Sequence, residues 1–201
     1  MEISSNQTAS YEITSEPKVI GEQASIPRRG QAPLLIVKHQ ERLDAIRTRL
    51  KASTSVSLKT SICARHIRRD FNIASAKMYV FGLNRNFAAN MQSALDDMEW
   101  SLDLLATDAA KYSYVSTDCL SPNNYDLDVV SAESAQMLRV LKKADSYLSR
   151  LYAAELLGII ERDARRDVMR PFWMTYAVFK RVAMKTKAKT MDEMLSEVCV
   201  D

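Results

Sequence analysis

The sequence predicts a mainly α fold with one short β-ribbon, and three observations predict it. Of 201 residues only four are glycine and five proline, which favours helices over turn-rich β-structure. Beyond residue 71 apolar side chains recur at threes and fours, the spacing of one helix face. Two short segments, "LLIVK" (34–38) and "YDLDVV" (125–130), carry a strand pattern instead. With 47% hydrophobic residues the chain can bury a real core in one compact domain plus a tail.

Taken in order, residues 1–33 are polar and offer little apolar surface to offset the entropy of ordering, so they read as a flexible arm. Residues 34–201 read as a single helical domain. In it "LLIVK" is a β-branched run bounded by Gly30 and Pro33, a strand signal. Residues 40–52 place Leu43, Ile46 and Leu50 on one side of an amphipathic helix. "STSVS" (53–57) reads as a polar turn supplying N-cap hydroxyls, and Ile62, Ile67 and Phe71 then line a second helix. Residues 34–71 thus spell strand, helix, turn, helix, and 72–201 a helical core with a dimerisation region. Phe87, Met91, Leu95, Met98, Leu102 and Leu105 mark a long middle helix, with Gly82 as a bend or close contact in it. After a loop around Pro122, Tyr125, Leu127 and Val129 alternate with Asp126 and Asp128 in a half-buried strand. Pairing this strand with 34–38 sets Lys38 against the aspartates. Ser131 caps a helix running to about Leu157, and Gly158 stops or kinks it. Pro171 falls in the first turn of an apolar helix, and Thr190 with Glu193 makes a capping box for a last one.

Charge is uneven. Residues 34–70 carry a net +6 and residues 71–145 a net −4, which places a basic block directly after the arm and suits a phosphate-bearing partner. Three widely spaced cysteines suit a reducing cytosol, the first residues have no secretory pattern, and no apolar run is long enough to span a membrane. The expectation is a cytoplasmic protein without membrane partner, cofactor or small-molecule substrate.

Signs of catalysis are few. Histidine occurs only at 39 and 66, and Cys63-x-x-His66 has no second pair to complete a metal site. Glycine-rich phosphate loops and a nucleophile elbow are missing, and Asp96, Asp97 and Glu99 splay over different helix faces. Glu155, alone in an apolar stripe, reads as half of a structural ion pair with Arg150, Arg162, Arg165 or Arg166 within reach. The aromatics of "PFWMTYAVF" read as core, or as a surface for a protein partner. The acid-free run 180–189 reads as a solvated helix end or a phosphate patch. The chain is not expected to be an enzyme.

Residues 34–71 match the outline of a ribbon-helix-helix unit, in which strands from two chains pair and enter the major groove. Its second helix would offer N-terminal amides to a phosphate. On that outline the DNA-contacting residues are Arg28 and Arg29 of the arm, Lys38 of the strand, Ser55 and Ser57 of the turn, and Lys59, Arg65, Arg68 and Arg69 around the second helix. Leu34 to Val37 are apolar, so Lys38, His39 or the arm would have to reach bases.

Several short motifs also carry a family resemblance. "ADSYLSRLYAAELLGIIERD", with Asp145, Gly158, Ile159, Ile160 and Glu161, resembles the closing segment of the AcaB-type transcriptional regulators of conjugative plasmids and integrating conjugative elements. "GLNR" (82–85) and "LLIVKHQERL" are similar to other parts of that family, so the likeness covers roughly 34–175. The sequence around Trp100 and the acid at Glu155 depart from it. The resemblance implies a fold related to ribbon-helix-helix proteins and a homodimeric, double-stranded-DNA-binding activator of conjugation genes. A helical adaptor of a conjugation system is the alternative.

Overall fold

In a computed structural model the chain divides into two units, 1–31 and 32–201. The structure describes residues 34–46 and 51–184, all within the second. The arm with Arg28 and Arg29, the capping box at Thr190 and Lys185, Lys187 and Lys189 lie outside the described residues.

Among the described residues the architecture is mainly helical, five helices with one two-stranded antiparallel ribbon, as the sequence predicts. The order is α1 (Gln40–Asp44), β1 (Ala52–Leu58), α2 (Ser61–Phe81), α3 (Arg85–Ala110), β2 (Asn123–Val129), α4 (Ala132–Leu156) and α5 (Arg162–Met184). The ribbon joins β1 to β2 in one chain, in register from Ala52 opposite Val129 to Leu58 opposite Asn123.

Three predicted elements are corrected. Segment 34–38 is not a ribbon strand. It makes one parallel bridge, Leu34 to Asn124, and the Leu35 amide donates to the Asn124 carbonyl at 2.8 Å. The first helix, expected over 40–52, is α1 alone, and residues 47–50 lie outside the described part. The expected turn at 53–57 is the middle of β1. Its period is two: Val56 and Leu58 point into the core while Ser53, Ser55 and Ser57 face out. Serine suggests turns because its hydroxyl competes for nearby backbone, but here Ser53 donates to Asp128 and Ser55 to Asp126 across the ribbon, both at 2.6 Å.

The helix boundaries have local causes. Gly82 closes α2 rather than bending a longer helix, and Asn84 opens α3 by accepting from the Phe87 amide at 3.0 Å. Ser131 and Ser134 form a reciprocal capping box on α4. At the other end Gly158 takes φ +70°, so its amide reaches Glu155 and the Ile159 amide reaches Ala154, a left-handed stop that a Cβ would strain. Pro171 is interior to α5, not in its first turn, because the charged stretch from Arg162 is already helical, and it stands at an exposed position.

Packing assembles the helices into a bundle. Helices α2 and α3 each pack on α4 and α5 and barely touch one another, so they stand at diagonal corners. Phe71, Leu95, Met98, Leu141, Leu148, Phe172, Trp173 and Tyr176 are fully buried between them, each apolar side chain contributing about 2 kcal/mol. The aromatics of α5 are therefore core.

Candidate nucleic-acid interface

The outward face of α2 gathers the cations. At about 100° per residue, Arg65, Arg68 and Arg69 fall within about a 100° arc. Lys38 is stitched beside them by main chain: its amide donates to the Arg68 carbonyl at 2.9 Å, and its carbonyl accepts from Asn72 Nδ2 at 3.0 Å. Lys38 and Arg68 are exposed. Helix α5 runs along the other flank, where Lys77 donates to the Met184 carbonyl at 2.6 Å and Lys180 lies 3.1 Å from Asp70.

Asp70 is the anchor beneath this face. It is 4% exposed and meets Arg69 at 3.0 Å, Lys180 at 3.1 Å and His66 Nδ1 at 3.2 Å. Burial alone would raise its pKa, but the hydrogen bonds from His66 and Arg69 and the charge of Lys180 prevail and hold it well below the usual carboxylate range. His66 is fully enclosed, its ring 5.0 Å from that of Trp173 and 4.3 Å from that of Tyr176. Burial depresses its pKa, against the pull of Asp70. The histidine–carboxylate pair is sealed from solvent and orients the charges above it.

The remaining sequence-predicted residues go elsewhere. Ser55 and Ser57 stand on the ribbon's solvent face, Ser55 bound to Asp126 and Ser57 opposite Asn124. The same face carries Asp128, which accepts from Ser53 and Gln40 at 2.6 Å and from Lys51 at 3.0 Å. A ribbon surface so rich in carboxylate would repel phosphate. Lys59 is tied to Thr117 Oγ1 at 2.7 Å. The amides leading into α2 are not offered to an outside anion either. Those of Lys59 and Thr60 donate to Asp145 at 2.8 and 2.9 Å, and the Thr60 hydroxyl adds a third bond at 2.5 Å. Asp145 is 5% exposed, and burial raises its pKa despite those donors. The two amides just before the helix expected to hold phosphate are thus taken by the protein's own carboxylate.

Glu155 is paired as expected. It contacts Arg165, which is 3% exposed and lies 3.9 Å over the Tyr152 ring. Lys77 and Asp70 went unnoticed in the sequence, where a lysine and an aspartate in a basic helix look solvated; the docking of α5 gives Lys77 its partner and adds Lys180 to the α2 partners of Asp70.

No family model and no curated protein sequence matches the chain. Among solved structures it is similar to the selenomethionine-containing crystal structure of AcaB from uropathogenic E. coli, at 13% identity and a TM-score of 0.50. The similarity covers 75% of this chain and 91% of that one, and at such identity it is a likeness of fold.

Proposed function

We propose that the chain is a DNA-binding transcriptional regulator, an activator of conjugative-transfer genes, that grips duplex DNA as a homodimer through the outward face of α2. The observation that carries this reading is the meeting of Lys38, Arg65, Arg68 and Arg69 on one face, whose edge towards α5 is held by the Asp70–Lys180 pair. From Arg65 to Arg69 the arginines rise about 6 Å along the helix axis, a spacing that suits phosphates along one bank of a groove. The AcaB-like fold and the AcaB-like motifs support the same class.

The reading moves the contact from ribbon to helix. Phosphate neutralisation by α2 supplies affinity through counterion release, and a second copy doubles the contacts. The far edge of β1 carries no strand among the described residues and gives that copy a place to extend the sheet. Binding, not catalysis, is the role proposed, since the histidine–carboxylate pair is enclosed and serves the basic face. The adaptor reading loses the α5 aromatics on which it relied.

The test is a promoter-fragment binding series across salt for wild type and Lys38→Ala/Arg68→Ala, two exposed positions whose loss leaves the core intact. The slope of log affinity against log salt should fall by about one for each phosphate contact removed, about two in all. An unchanged slope would take this face out of the footprint.

A further inference from the structure

The bundle presents a second charged face, of opposite sign, on α3. Residues 86–110 contain five acids, Asp96, Asp97, Glu99, Asp103 and Asp108, and no lysine, arginine or histidine. The inward side of α3 is used up by Phe87, Met91, Leu95, Met98, Leu102 and Leu105. On the outward side two large apolar side chains stand in water one turn apart, Trp100 at 66% exposure and Leu104 at 43%. At about 100° per residue Asp96 and Asp103 border this pair on one side, and Asp97 and Asp108 on the other. Lys111 pairs with Asp108 at 2.7 Å. Among the described residues no cation pairs with Asp96, Asp97, Glu99 or Asp103.

We propose that this face of α3 is a docking surface for a cationic amphipathic helix of a protein partner. An exposed tryptophan backed by a leucine is the kind of anchor that dominates helix-to-helix recognition, because one aromatic inserted between partner side chains removes a large apolar area from water. The carboxylates choose the partner's sign. They repel DNA, RNA and anionic lipid alike, and they attract a helix whose apolar stripe is flanked by lysine and arginine. The four flanking acids lie on both sides of the Trp100–Leu104 pair, so the partner needs basic residues on both sides of its own stripe. Because α2 and α3 stand at diagonal corners, the face looks away from the basic one, and both can be occupied together.

The probe is a synthetic helix with a leucine stripe at i, i+3, i+4, i+7 and lysine on both flanks. Two controls accompany it: the same stripe flanked by glutamate, and a lysine-rich peptide of equal charge without leucine. The full chain has two tryptophans, and Trp173 is already buried, so Trp100 reports docking through a blue shift of emission. The basic amphipathic peptide should bind and shift that emission, and both controls should bind at least tenfold more weakly. By calorimetry Trp100→Ala should weaken the basic peptide at least tenfold. Asp97→Lys/Asp103→Lys should reverse the preference towards the glutamate peptide. Helix content by circular dichroism should be unchanged in all variants, because every altered side chain is exposed. Equal binding of basic and acidic peptides, or wild-type affinity in Trp100→Ala, overturns the proposal. So does self-association that Trp100→Ala abolishes, since a second copy would then be the occupant.

Discussion

The outward faces of α2 and α3 are both charged and differ in what their charges rest on. Under the α2 arginines lies a buried carboxylate, Asp70, that fixes Arg69 and draws Lys180 across from α5. Under the α3 acids lies only the helix's own apolar side, and beside them stand an exposed tryptophan and leucine. On the proposed reading, a cationic face fixed from below meets a charge lattice that is itself regular, such as phosphate. An anionic face around an apolar centre is arranged to meet a surface that supplies both opposite charge and side chains to cover the centre. Charge count alone separates neither from an ordinary solvated helix; the two proposals rest on the anchor in one case and the accompanying apolar pair in the other.

The harshest test of this contrast removes the anchor. Asp70→Asn should lower stability by about 3 kcal/mol at neutral pH, because Lys180 and Arg69 are left against each other with no carboxylate between. The pH dependence has a definite sign. The folded pKa of Asp70 lies below its unfolded value near 3.9, so its contribution is present above that value and is lost as pH falls towards the folded pKa. His66, held neutral by burial, adds to the acid loss, since below about 6.5 the unfolded chain takes up its proton first. Chemical denaturation of wild type and Asp70→Asn should therefore show a gap that closes in acid. A constant gap from pH 7 to pH 2.5 would mean that Asp70 acts by shape rather than charge.

Next in size is a pair of reversals that sets the two faces against each other. Arg68→Glu should cost DNA affinity at least tenfold at 0.15 M salt, since it replaces a phosphate contact with a repulsion. Asp103→Lys should leave DNA affinity within about twofold, as α3 faces away and the Debye length at that salt is about 8 Å. Equal responses to the two changes, read by fluorescence anisotropy on the same duplex, would show that net charge governs binding and that neither face is special.

How far these faces were legible in the sequence follows from whether their cause is local. The α3 core stripe, the Ser131 cap and the Gly158 stop are set by residues within a few positions of one another, and they stand where the pattern puts them. The ribbon is different. "STSVS" becomes a strand because Asp126 and Asp128, some seventy residues on, accept its hydroxyls, and no short window contains that pairing. "LLIVK" has strand chemistry, yet β2 already has β1 on one edge, and 34–38 gains only the bridge at Leu34. Arg65, Arg68 and Arg69 could be placed on one side of a helix from spacing alone. That Asp145 fills the amides leading into that helix, and that Lys180 completes its flank, required tertiary contacts.

The mildest change sharpens the comparison most, because its expected effect on the fold is near zero. Trp100→Ser removes one of the two tryptophans, and a buried tryptophan would be missed by 3–5 kcal/mol, about the cost of truncating one in a core. Trp100 is two-thirds in water, makes no ring contact among those described, and has carboxylates rather than core atoms around it. Stability should therefore change by no more than about 0.5 kcal/mol, in either direction. A loss above about 1.5 kcal/mol in urea denaturation would show that Trp100 is covered in solution by the chain itself. The face on α3 would then belong to the fold, and its contrast with α2 would be one of packing.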